Sequence, residues 1–158
     1  MIGKSRIFSL VLTALVLMLS FALMGSNVYN GDNLTHNQKL QTSLSGRAEV
    51  PGPGDLDGKG KAKITLMMEG HQVCWDIKVK DITLPATAAH IHLGAKGVAG
   101  PVVVTLSAPN TKGVSSGCTM VDHDLHMNLH MHPDQYYVNV HNSDFPGGAL
   151  RGQLSSDD

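Results

Sequence analysis

The sequence predicts an all-β fold, an antiparallel sandwich or barrel of at least six short strands. Two observations lead to this prediction. Segments in which apolar and polar residues alternate recur along the chain, and 17 glycines and 7 prolines supply turns between them. In addition, 42% of the 158 residues are hydrophobic and 16% are charged, which is sufficient for one domain with a buried core.

The first 27 residues are predicted to lie outside this domain. Lys4 and Arg6 form a basic start, and residues 7–24 carry no charge. A helix of this length spans about 27 Å, close to the thickness of the hydrocarbon core of a membrane. Length therefore does not distinguish a cleaved signal peptide from a retained anchor. In either case the basic end is expected to stay on the cytoplasmic side of the membrane. We therefore expect an extracytoplasmic domain that is secreted, periplasmic or anchored, with membrane contact only through residues 1–27.

The rest of the chain divides into three parts. Residues 28–41 are polar and aperiodic, which predicts a linker. The domain is expected to span 42–154, and residues 155–158 form a tail. The first strand is predicted at 44–50, because the strand breakers Pro-Gly-Pro-Gly follow at 51–54.

Period-two alternation predicts most of the remaining strands. Residues 61–68 and 72–80 form a hairpin, with Glu69-Gly70 at its turn. Valines, isoleucines and the single tryptophan occupy one face of these two strands, and lysines occupy the other. Further strands are predicted at 87–93, 101–106, 136–141 and 149–154.

The segment 122–132 is compatible with a helix or with a strand. A helix would begin at Asp122, a residue type that caps helix N-termini, and Leu125 and Leu129 would pack on the sheet. The outward stripe would then consist of His123, His126, Met127 and His130. In a strand, one face would instead carry His126, His130 and His132. Both geometries bring histidines together on one face. The alternative is that this face is an ordinary solvated polar surface that binds nothing.

The chain contains two cysteines, Cys74 and Cys118. In an oxidising compartment such a pair most simply forms a disulfide. Closing a loop of this length would stabilise the fold by about 4 kcal/mol in the chain-entropy model. The alternative is two free thiols, one of which serves as a metal ligand.

Three histidines form the main candidate site. His90 and His92 share one face of a predicted strand, about 6.5–7 Å apart, and His141 ends another strand. All three lie opposite the aliphatic residues that face the core. Neutral imidazoles are ligands for copper and zinc, so neighbouring strands would create a three-histidine metal site. Otherwise these histidines would hydrogen-bond to loop carbonyls and hold turns together.

Several motifs resemble the CHRD (chordin-type) domain. They are Leu44-Ser45-Gly46 with Glu49-Val50-Pro51, Ala89-His90-Ile91-His92-Leu93-Gly94, Gly100-Pro101-Val102-Val103, Tyr137-Val138-Asn139-Val140-His141, Pro146-Gly147-Gly148 and Arg151-Gly152-Gln153-Leu154. The resemblance covers residues 42–154 and implies an extracytoplasmic module, which we expect to be a Greek-key or immunoglobulin-like β-sandwich. Many members also carry a cysteine pair at these positions. The resemblance implies no particular activity.

The candidate site is also similar to that of Cu,Zn superoxide dismutase, which binds copper through His-x-His on one strand and a histidine ending a later strand. This similarity implies His90, His92 and His141 as copper ligands. The dismutase has a long zinc loop after its His-x-His, whereas residues 93–100 are too few for a zinc subsite. A fourth ligand would come from elsewhere, with His132, His71 or a methionine as candidates. The similarity therefore supports binding more than redox turnover.

Methionines favour copper over zinc as the bound metal. Met120, Met127 and Met131 lie among histidines, and thioether with imidazole suits Cu(I). A secondary or exchange site is therefore predicted at 120–132, with candidate ligands His126, His130, His132, Met127 and Met131.

Other function classes have less support. A net charge of −1 and 4% aromatic residues argue against nucleic-acid binding. No catalytic triad signature, phosphate loop or zinc-protease motif is present. Arg151 is expected to hold the last strand through a salt bridge, or else to bind an anion. The sequence thus predicts a non-catalytic module for copper or zinc. The alternatives are a structural or adhesive module with a protein or cell-surface partner, and a copper-only, dismutase-like oxidoreductase.

Overall fold

The computed structural model describes residues 36–156. The predicted N-terminal signal or anchor at 1–27 lies outside the described residues, as do most of the predicted linker and the last two residues. Within residues 36–156, no helix is long and apolar enough to cross a membrane.

The described residues form nine antiparallel strands in one continuous sheet, which confirms the all-β prediction. The strands are β1 (Gln38–Ser45), β2 (Lys59–Met67), β3 (Gln72–Lys80), β4 (Ala88–Leu93), β5 (Val102–Leu106), β6 (Val114–Met120), β7 (Tyr136–His141), β8 (Leu150–Gln153) and β9 (Ser155–Ser156). The sheet curls into a nearly closed barrel or sandwich, with strand order β5-β4-β7-β8-β1-β2-β3-β6 and with β9 paired to β1. The two edge strands approach each other, because the hydroxyl of Ser107, directly after β5, is 2.9 Å from that of Ser115 in β6.

Alternation along the strands builds the core. In β3, every second side chain from Val73 to Val79 is buried, whereas Asp76, Lys78 and Lys80 are exposed. Aliphatic side chains from β1, β2, β4, β5, β7 and β8 join the same cluster. Removing each large aliphatic side chain from water contributes about 1.5–3 kcal/mol. The opposite face of the strands is free to carry polar groups.

The predicted hairpin is confirmed. β2 and β3 pair in one register from Lys59 opposite Lys80 to Met67 opposite Gln72. Their connection is a short 3-10 turn, Glu69–His71, with backbone φ angles of 75° at Gly70 and 48° at the residue after it. Glycine adopts this left-handed region freely, but a residue with a Cβ rarely does.

The segment after β6 is a helix, α1 (His123–Met131), so the strand alternative is wrong. Asp122 caps it, because its Oδ1 accepts a hydrogen bond from the Leu125 backbone N–H at 2.8 Å. The predicted outward stripe is wrong at His126, which is fully buried beside Leu129. Residues three apart on a helix are only about 60° apart around its axis, so the inward face includes both side chains.

Besides shifts of one or two residues at strand ends, the structure differs from the prediction in three places. β1 is Gln38–Ser45 rather than 44–50, and it begins within the predicted linker because it pairs with β2 over its whole length. The predicted tail contributes Ser155–Ser156, which pairs with β1. The sequence does not predict β6 (Val114–Met120), because between Val114 and Met120 it has only small or polar residues and cysteine, so the apolar alternation is weak.

The predicted disulfide is confirmed. Cys74 of β3 lies directly opposite Cys118 of β6, and their Cα atoms are 4.0 Å apart. No free cysteine occurs in the described part of the chain, which excludes a thiol ligand there. The disulfide therefore attaches the edge strand β6 covalently to the rest of the sheet.

Candidate metal centre

The topology brings the three predicted histidines together. β4 and β7 are neighbours, and their register places His90 opposite Asn139, and Ala88 opposite His141. His90 and His92 lie on the outer face of β4, while Ala89 and Ile91 face the core. All three imidazoles are half-buried. A site shared by the three histidines requires that their two strands be neighbours, and β4 and β7 are neighbours.

The three rings lie at distances compatible with one metal ion. One nitrogen from each histidine lies within 4.8 Å of the other two. Nδ1 of His90 is 3.3 Å from Nε2 of His141. Two imidazole nitrogens bound at about 2.0–2.1 Å to a tetrahedral metal are about 3.4 Å apart, so this pair already has ligand spacing. His90, His92 and His141 could therefore hold a metal.

Loop carbonyls orient two of the rings. Nδ1 of His92 donates to the Gly100 carbonyl at 2.9 Å, and Nδ1 of His141 donates to the Pro146 carbonyl at 3.0 Å. A carbonyl only accepts, so each Nδ1 carries the proton and each Nε2 keeps its lone pair. Nε2 of His92 is buried and has no hydrogen-bond partner among residues 36–156. The bonds that brace the loops thus also leave Nε2 of each ring as the nitrogen that could bind a metal.

Burial also favours the ligand form of these side chains. Desolvation lowers the pKa of His90, and the neighbouring His141 and His92 lower it further. Desolvation lowers the pKa of His92 too, although the hydrogen bond to Gly100 acts in the opposite direction. A neutral imidazole is the form that binds a metal, so no proton has to leave these two rings at neutral pH.

An aromatic and cationic stack supports His92. Its ring is parallel to that of Tyr137, with an interplanar angle of 11° and centroids 4.8 Å apart. The Arg151 guanidinium lies 3.5 Å from the Tyr137 centroid, and its Nη2 donates to the Ala95 carbonyl. The salt bridge expected for Arg151 is wrong, since the ion pair found within residues 36–156 joins Lys80 and Asp81. A cation–π contact and a loop carbonyl take its place.

A buried carboxyl group lies next to the same outer face. The side-chain amide of Asn139 donates to both oxygens of Glu49, at 2.9 and 2.8 Å. Burial raises the pKa of Glu49 to about 7, although the amide and the charge of Arg151 act to lower it. In register, Asn139 stands between His90 on β4 and Arg151 on β8. The sequence analysis did not identify Glu49 and Asn139 as a functional pair. The sequence indicated their importance only in that both residues belong to motifs that resemble the CHRD domain.

The other predicted ligands do not join this group. The ring contacts of His126 are with His71, on the β2–β3 turn. His130 lies on α1, and His132 is exposed at its end. Met127 is half-buried and Met131 is 54% exposed. The segment 120–132 thus adds no histidine to the group of His90, His92 and His141.

A family model described as CHRD domain matches residues 40–154. The chain belongs to the CHRD domain family. The match confirms the resemblance carried by the sequence motifs. In this CHRD domain, the motif at 89–94 forms β4 and carries two of the histidines, and the motif at 137–141 forms most of β7 and carries the third. The sequence matches no curated protein and no solved structure significantly.

Proposed function

We propose that this CHRD domain is an exported, non-catalytic binding module that holds one copper ion at His90, His92 and His141. The observation that carries the proposal is the buried Nε2 of His92, which has no hydrogen-bond partner in the described chain. His92 also offers one nitrogen within 4.8 Å of nitrogens of His90 and His141, and those two histidines are at ligand spacing. A buried polar atom without a partner is unfavourable, and a metal ion bound there would satisfy it.

The donor set favours copper over zinc, and zinc is the alternative. Three neutral imidazoles bind both ions, but divalent copper binds nitrogen sites more tightly than zinc does. The carbonyl bonds of His92 and His141 orient the rings before any metal enters, which lowers the cost of binding.

Non-catalytic binding accounts better for Arg151 than a dismutase-like activity does. An oxidoreductase that acts on an anionic oxygen species would use an accessible cation near the metal. Arg151 is only 2% exposed, and its guanidinium lies over Tyr137. It therefore presents little positive charge to a dissolved anion.

A structural module without a metal is the second candidate. The observation that favours it is that the carbonyl bonds of His92 and His141 hold two loops whether or not a metal is bound. Export applies to both candidates, because a disulfide persists in oxidising compartments. A protein or cell-surface partner would suit the structural module in particular.

Copper titration of the purified, oxidised chain tests the proposal. Calorimetry should show that the His90→Ala/His92→Ala/His141→Ala variant binds one Cu²⁺ equivalent fewer than the wild type. His132→Ala is the matched control, because it removes an exposed imidazole outside the three-histidine group. If the triple variant bound as many Cu²⁺ equivalents as the wild type, the proposed site would be wrong and the structural candidate would be favoured.

A further inference from the structure

A second group of histidines lies where the β2–β3 turn meets the start of α1. Nδ1 of His123 is 3.2 Å from Nε2 of His71. The ring centroid of His71 is 4.8 Å from that of His123 and 5.5 Å from that of His126. In the first site, the corresponding centroid distances are 5.2, 5.6 and 6.5 Å. The two distances from His71 are therefore similar to the shorter distances in the first site.

His126 is the member of this group that most needs an explanation. Its side chain is fully buried, and neither ring nitrogen makes a well-formed hydrogen bond within residues 36–156, although a hydrogen-bonding contact with the Met67 backbone acts on its pKa. Nδ1 of the half-buried His130, one helical turn further on, is likewise buried and unpartnered in that range. Buried polar groups are nearly always satisfied, so orphaned imidazole nitrogens beside further imidazoles indicate a missing ligand.

The backbone holds the two halves of the group together. The Val121 backbone N–H donates to the His71 carbonyl at 3.1 Å. The Cys74–Cys118 disulfide joins β3, which follows His71, to β6, which precedes α1. His71 itself has a φ of 48°, a conformation that is unfavourable for a side chain with a Cβ. Fixed elements, rather than free side chains, create this arrangement.

The electrostatic surroundings favour the neutral, ligand form. Burial lowers the pKa of His126, and His71, His130 and His123 lower it further, whereas the Met67 backbone acts in the opposite direction.

We propose that His71, His123 and His126 form a second metal site, for a divalent copper- or zinc-type ion, which shares no ligand with the first. His71 and His123 already have ligand spacing, and the ring of His126 lies beside that of His71. In this proposal the His126 ring moves towards the pair when the ion binds, because within residues 36–156 the three nitrogens already within 4.8 Å of one another are those of His90, His92 and His141. This differs from the secondary site predicted within 120–132. His71 comes from a turn about fifty residues earlier, while His132 and Met131 are exposed at the far end of α1.

Zn²⁺ titration in a background without the first site tests this proposal independently. In the His90→Ala/His92→Ala/His141→Ala variant, one Zn²⁺ equivalent should remain. Adding His71→Asn/His123→Ala should weaken that binding by about 100-fold or more, because two of three ligands are lost. Asparagine is chosen because it tolerates the left-handed backbone conformation at this position. His132→Ala in the same background should leave the affinity unchanged.

Imidazole ¹H–¹⁵N spectra supply a second readout. Zn²⁺ should shift the ring resonances of His71, His123 and His126 in that background. Thermal unfolding of each variant without metal checks that it folds. The proposal is overturned if the background binds no Zn²⁺, or if adding His71→Asn/His123→Ala leaves its affinity unchanged. Neither result depends on whether the first site binds copper.

Discussion

Nδ1 of His92 donates a hydrogen bond to the Gly100 carbonyl at 2.9 Å, and this bond ties a proposed ligand on β4 to the loop before β5. The Tyr137 hydroxyl accepts a hydrogen bond from the Gly100 N–H at 3.2 Å, so the residue stacked on His92 also holds that loop. The position of the His92 ring therefore depends on a loop and on a tyrosine from β7.

Tyr137→Phe should lower copper affinity without abolishing binding. The ring and its stack on His92 remain, but the loop loses its contact with the hydroxyl. Losses of outer contacts of this kind typically cost about 10- to 100-fold in metal affinity, and we expect the lower end because the carbonyl bond remains. Calorimetry with Cu²⁺ measures the change. Tyr136→Phe, which also removes the hydroxyl of a buried tyrosine, is the control. Equal affinities of the two variants would contradict this account of the loop.

Glu49 should make stability depend on pH in a direction unusual for a carboxyl group. Its pKa is about 7 in the folded protein, against an ordinary value of 4.5. Its stabilising contribution is therefore fully present below pH 4.5 and is lost as the pH rises through about 7. Relative to Glu49→Gln, the wild type should lose on the order of 2–3 kcal/mol of unfolding free energy between pH 4.5 and 8.

Urea denaturation of both proteins at several pH values measures this difference. The comparison with Glu49→Gln is needed because the lowered pKa values of His90 and His92 act in the opposite sense. Their contribution is present above the ordinary imidazole pKa of 6.5 and is lost as the pH falls below it. Parallel profiles for wild type and Glu49→Gln would show that Glu49 ionises normally.

Removal of the disulfide should destabilise the domain. Cys74 and Cys118 are separated by 44 positions, and the chain-entropy model gives about 4 kcal/mol for such a loop. Urea denaturation of Cys74→Ser/Cys118→Ser against the oxidised wild type measures the loss. A reducing agent should destabilise the wild type and leave the double variant unchanged. A double variant as stable as the wild type would show that hydrogen bonds alone hold β6 in place.

Reversing the charge of one lysine side chain on the outer face of β3 should stabilise the sheet. Lys78 lies directly opposite Lys61 of β2, and both are exposed. Like charges directly opposite each other are unfavourable, so Lys78→Glu should gain roughly 0.2–1 kcal/mol at low salt. Thermal unfolding at low and high salt measures the gain, which screening should reduce. Lys39→Glu is the matched control, because Lys39 lies opposite the uncharged Thr65. An equal gain in the control would attribute the effect to net charge.

Local sequence patterns were sufficient where one element carries the whole signal. The alternation in β3 specified both the strand and its buried face, and Asp122 marked the start of α1. The His-x-His spacing placed His90 and His92 on one face of β4. In each case the periodicity is a property of a few consecutive residues, so it does not depend on which element lies alongside.

Tertiary structure decided the features that depend on neighbouring strands. β6 has weak alternation and is a strand because it pairs with β3, and β1 starts early because β2 provides partners. The approach of His71 to α1 and the burial of Glu49 against Asn139 also join residues far apart in sequence. A local sequence pattern indicates which face of a strand or helix a side chain occupies. Strand order, register and the loops that cover a face arise from long-range pairing, and these decided which histidines meet.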